Sequence, residues 1–65
     1  MKPLYDISGN GVRVGSVLQG FGLHNAGRYY TVKEIEQGGR MMLEEHRTAR
    51  TVFQAKIDYY CVVEN

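Results

Sequence analysis

The sequence predicts an all-β domain: an antiparallel sheet of five to six short strands rolled into a small barrel, with at most a short 3₁₀ turn. Three observations predict it. Aromatic and β-branched residues come in short runs, Tyr29-Tyr30-Thr31-Val32, Thr51-Val52-Phe53 and Tyr59-Tyr60-Cys61-Val62-Val63, and such side chains suit a pleated surface and lose χ1 freedom in a helix. Turn-forming clusters separate the runs, chiefly Ser8-Gly9-Asn10-Gly11 and Gly38-Gly39. The 65 residues allow a single domain, 1–65, with a marginal core, and rolling its sheet hides edges that would otherwise invite aggregation.

Leu4, Tyr5 and Ile7 start a brief first strand that the turn cluster after it ends. Val12, Val14, Val17 and Leu18 follow, with Arg13 alternating outward. Gly15-Ser16 interrupts that pattern, and a bulge or bend there is expected to turn Val14 and Val17 both inward. Residues 19–27 form a loop with three glycines that nevertheless carries Phe21 and Leu23. Either these side chains cap an open end of the core, or they are exposed apolar anchors for a partner.

Residues 27–45 read as the β-hairpin around which the rest is arranged. Val32 and Ile35 stand three apart, a spacing that fits an amphipathic helix as well as a strand. The aromatic and β-branched run before them and the glycine pair after them argue for a strand with a bulge or strong twist near Lys33-Glu34. Ile35 is free to pair with Met41, Met42 or Leu43. Residues 44–50 are polar and connect two strands, as a long hairpin tip or with a brief helical turn. Residues 51–55 resume strand composition, Lys56-Ile57-Asp58 is expected to make one 3₁₀ turn, and Tyr59 to Val63 closes the chain. In that last strand Tyr60 and Val62 face one way, and Tyr59, Cys61 and Val63 the other.

This order of elements resembles an SH3-like small barrel. The residues that carry the likeness are a Gly11-Val12-Arg13-Val14-Gly15-Ser16-Val17 strand, a long loop, the spacing Gly27…Val32…Ile35 before a Gly-Gly turn, two further strands, a short turn and a last strand. It is similar to KOW-type barrels and to short phage and prophage small-barrel products. Leu4-Tyr5-Asp6 is similar to the opening of peptide-binding SH3 domains, but the chain has no Trp, and the proline groove of that class is built on paired tryptophans. The fold hosts protein, RNA and DNA binders alike, so the likeness implies a binding module without naming its ligand.

Composition narrows the classes. Eight Lys and Arg against seven Asp and Glu give a formal charge of +1, so no global field draws in nucleic acid or an anionic membrane. The lone Cys61 has no intrachain partner, nothing near Met1-Lys2-Pro3 resembles a signal peptide, and no apolar run reaches the length of about 18 residues that a membrane span needs. These features place the chain in the cytoplasm.

Chemistry is sparsely signalled. His24, His46 and Cys61 stand apart in the sequence, so no metal site and no nucleophile–base pair is expected, and Cys61 reads as a small thiol within a strand. Gly20-Phe21-Gly22 lacks the third glycine of a dinucleotide loop, and no cofactor is expected. Glu34, Glu36, Glu44 and Glu45 are read as solvating the hairpin. A barrel with so little interior is expected to offer no deep pocket, which points to a non-enzymatic module. The leading reading is recognition of a protein partner, or of a second copy, through Phe21, Leu23 and Tyr29 with Arg47 and Arg50 at the rim. The alternative is a nucleic-acid binder using Arg13, Arg28, Arg47, Arg50 and Lys56 for phosphates and exposed Tyr29, Tyr30 and Tyr59 for stacking. Against that alternative, the arginines could simply pair with neighbouring glutamates while the tyrosines bury their rings.

Overall fold

A computed structural model describes residues 3–65; Met1 and Lys2, where the reading of the amino terminus begins, lie outside them. The described chain contains seven strands and no helix: β1 (Leu4–Tyr5), β2 (Gly11–Val12), β3 (Val17–Gly20), β4 (Tyr29–Ile35), β5 (Met41–Glu45), β6 (Thr51–Gln54) and β7 (Tyr60–Glu64). β1 and β2 form a two-stranded ribbon. The other five form an antiparallel sheet in the order β6-β5-β4-β3-β7, a meander whose last strand returns beside its first. No ladder joins β6 to β7, so both are margins and closure into a barrel is not seen.

The central hairpin forms as its residues dictate. Ile35 pairs with Met41 and Val32 with Leu43, and the register shifts between Val32 and Glu34, the expected bulge, so that both apolar side chains turn inward. Gly39 takes φ +92° in the turn, which closes with the Glu36 N–H donating to the Arg40 carbonyl at 2.8 Å and the Gly39 N–H to the Glu36 carbonyl at 2.9 Å. Residues 46–49 make the β5–β6 hairpin tip without a helix. The expected 3₁₀ turn before β7 is instead a single tight turn, closed by the Tyr60 N–H donating to the Ile57 carbonyl at 3.0 Å.

Two expectations about the first half fail. The stretch from Val12 to Leu18 is not one strand with a bulge, because Arg13 to Ser16 form a tight turn: the Ser16 N–H donates to the Arg13 carbonyl and Gly15 has φ +95°. At that turn Val14 points outward and is 61% exposed, while Val12 is buried and Val17 half-buried.

Val12, Leu18, Tyr30, Val32, Met41, Leu43, Ile57 and Tyr60 form one core against one face of the sheet. Full burial of a side chain such as Leu18 or Leu43 is worth about 2 kcal/mol, against a net stability of only about 3–5 kcal/mol for so small a core. Fixing the ribbon to the sheet therefore matters, and a buried carboxylate does it. Asp6 accepts hydrogen bonds from the backbone N–H groups of Ser8 (2.9 Å), Asn10 (2.8 Å) and, 56 residues on, Val62 of β7 (2.8 Å). These donors hold its carboxyl below the ordinary value of 3.8, the Val62 bond most of all and burial opposing them.

Candidate functional site

The loop between β3 and β4 is built on Asn25. Its buried side chain accepts from the Gly22 N–H at 2.6 Å and donates to the Tyr59 carbonyl at 3.4 Å, while its own carbonyl accepts from the Arg28 N–H at 3.1 Å. Gly20 lies so close beneath it that a Cβ there would meet the Asn25 carbonyl oxygen and side chain. The base of the loop is thus fixed, and its tip carries Leu23, which is 99% exposed. Of the two readings of this loop, Leu23 does not fold back over the core. Phe21 is half-exposed and lies edge-on to the Tyr59 ring, with centroids 6.2 Å apart.

Beside this loop a cleft of about 780 Å³ opens between β6 and β7, where no ladder closes the sheet. It is a broad surface opening, half-open to solvent, at the gap the unclosed sheet leaves. Tyr30, Glu45, Val52 and Tyr60 line it from the inner face, and Leu23, Arg50, Lys56 and Tyr59 from the loops and strand ends.

Glu45 does not solvate the hairpin. It sits on the inner face opposite Tyr30 with its side chain 5% exposed, because the alternation from Met41 through Leu43 carries it inward. Arg28 lies 3.4 Å from both carboxylate oxygens, and the Thr48 hydroxyl donates to one of them at 3.1 Å. Burial raises the Tyr30 hydroxyl above its ordinary value of 10.0, the Glu45 charge adding to the effect and Arg28 opposing it. Burial likewise raises Tyr60, with Asn25 opposing and Tyr30 adding. The two rings meet edge to face, their centroids 5.3 Å apart.

Of the residues expected to hold a protein partner, Leu23 and Arg50 line the cleft and Phe21 adjoins it through Tyr59. Tyr29 and Arg47 are not in its lining; Tyr29 stacks on His46, 6.5 Å between centroids, on the other face of β4. Of the residues expected to hold nucleic acid, Arg28, Arg50, Lys56 and Tyr59 come together there, and Arg13 and Arg47 do not. Tyr30 is not an exposed stacking platform: it is 4% exposed, since its parity in β4 sets it on the core side with Val32. Sequence reasoning missed Asn25, Glu45 and Tyr60. Asn25 had a usable signal, an amide between loop glycines able to bond nearby backbone.

Among the described residues no three of His, Cys, Asp and Glu gather as a metal ion would need. Comparison of the chain with family models, curated proteins and solved structures returns no match.

Proposed function

We propose that this chain is a non-enzymatic binding module of the SH3-like small-barrel kind that recognises a protein partner at the cleft beside Leu23. The strand order supports the fold half of the reading: a four-strand meander from β3 to β6, then a tight turn and a fifth strand returning beside β3, with the unclosed seam forming the cleft. Cys61, a free thiol, accords with work in the reducing cytoplasm.

The observation that carries the functional half is Leu23, wholly exposed on a loop whose base is locked by Asn25. Because the loop base is already fixed, covering Leu23 costs little backbone ordering, and Phe21 and Tyr59 extend the apolar surface beside it. Arg50 and Lys56 give the rim its charge. Immobilised chain should capture a protein that Leu23→Ala and Phe21→Ala both lose. Leu23→Ala should also melt within a few degrees of the parent, as surface changes of about 0.5 kcal/mol or less do. Capture undiminished in both variants would refute the assignment.

The gathering of Arg28, Arg50, Lys56 and Tyr59 favours one second reading, a single-stranded nucleic acid in the same cleft. Arg28 already faces Glu45, and Asp58 also lines the cleft, so the net positive charge is small. A labelled oligonucleotide bound at low salt and released steeply as salt rises would replace the protein reading with this one.

A further inference from the structure

The chain treats its two sheet margins differently. On β7 the Phe21 N–H donates to the Tyr59 carbonyl, so by antiparallel alternation Tyr60 and Val62 turn their N–H groups away from β3. Both are taken: Val62 donates to Asp6 at 2.8 Å and Tyr60 to the Ile57 carbonyl at 3.0 Å. On β6 the Glu45 N–H donates to the Arg50 carbonyl at 2.9 Å, which makes that pair a bonded one. Glu44–Thr51 is then unbonded, Leu43–Val52 bonded and Met42–Phe53 unbonded. Thr51 and Phe53 therefore aim N–H and C=O away from β5, and among the described residues no turn, loop or side-chain hydrogen bond reaches them.

Thr51, Val52 and Gln54 of this open strand line the cleft, with Arg50, Leu23 and Tyr59 from the neighbouring loops. Arg50 immediately precedes the strand and Lys56 lies two residues beyond it, past a bend at Ala55; neither is in an ion pair among the described residues.

The geometry points to strand addition at β6: an extended segment of another protein lies antiparallel to it, hydrogen-bonded to Thr51 and Phe53. That segment is acidic at both ends, against Arg50 and Lys56, and apolar opposite Val52. This rests on the binding-module reading and supplies the partner's chemistry. Charge decides between this occupant and a second copy of the chain. Two copies joined antiparallel through β6 would bring Arg50 of each near Lys56 of the other, and like charges across a strand pair are destabilising. Cations on an open margin deter such self-pairing. An acidic strand converts the same cations into ion pairs.

The test titrates the full chain with acetyl-Glu-Thr-Thr-Thr-Leu-Thr-Glu-amide and follows backbone amides by NMR. The expected result is saturable movement of the Thr51 and Phe53 amides, loss of binding when the peptide is N-methylated at its fourth and sixth residues, and weakening by roughly tenfold when both glutamates become lysines. Thr51→Pro removes an outward N–H without touching the β5 pairing and should abolish binding in a chain that circular dichroism shows folded. If that variant does not fold, the N-methylated peptide puts the same question to the unaltered chain. Undiminished binding of the N-methylated peptide, or no binding at millimolar concentration, overturns the inference. Shifts at Leu23 and Tyr59 with Thr51 and Phe53 unmoved overturn strand addition while leaving the binding module standing. A dimer that Thr51→Pro disperses overturns it by giving the margin to a second copy.

Discussion

Replacing Asp6 with Ala removes an acceptor that three backbone N–H groups and the Asn10 side-chain amide share. A hydrogen bond to a charged group is worth about 1.5–3 kcal/mol, but the Ser8 and Asn10 donors lie in an exposed turn where water replaces the carboxylate. The Val62 donor sits where ribbon meets sheet, so most of its bond is lost. Together these give a loss of about 2–3 kcal/mol, or roughly 10–20 °C in Tm for a domain of this length. The sign of the pH dependence follows from the depressed carboxyl. The stabilisation is fully present above the unfolded value near 3.8 and disappears as pH falls through the lower folded value. Urea unfolding of parent and Asp6→Ala at a series of pH values measures the gap, which should be constant near neutrality and shrink below about pH 4. Equal stability at pH 7, or a gap unchanged into strong acid, would show that Asp6 does not join the ribbon to β7.

Gly20→Ala should lower stability by about 2 kcal/mol, because the new methyl group meets the Asn25 backbone and the loop must shift; thermal melting reads it, and an unchanged Tm would mean the loop base is not tightly set. Glu45→Gln should move the Tyr30 titration, followed by ultraviolet absorbance, downward yet leave it above 10.0, since burial is the larger cause of its elevation and the Glu45 charge the smaller. No movement would show that the charge and the ring are not coupled.

The hairpin was legible because its evidence is local. A β-branched run, a glycine turn and a three-residue apolar spacing suffice to place β4, its bulge and β5, and the structure chooses the Ile35–Met41 register from the alternatives. What escaped is decided by partners distant in sequence. Tyr29 and Tyr30 are chemically alike, and only the ladders to β3 and β5 send Tyr30 inward and leave Tyr29 beside His46. Glu45 looks like one more solvating carboxylate until the alternation of β5 and the reach of Arg28 are known. Asp6 stands out only in the Leu4-Tyr5-Asp6 opening, and its bond to Val62 has no trace in the residues around it. Val14 faces outward because Gly15, whose place in an apolar alternation suggests a kink within a strand, has a positive φ that folds the chain back on itself. At the candidate site, Leu23, Arg50, Lys56 and Tyr59 could be named, but their meeting depends on the gap between β6 and β7, which no local pattern encodes.

The return of β7 to β3 also sets an order of assembly. β4, β5 and β6 join through short turns, whereas pairing Val17–Gly20 with Tyr60–Glu64 closes a loop of some 40 residues, the largest entropy loss in the sheet. A growing chain that has not yet reached Tyr60 can hold its hairpins but leaves Leu18 without a neighbour on one side. The final strand works as a clasp, and a chaperone or protease that meets the molecule half-made would find it with that clasp undone.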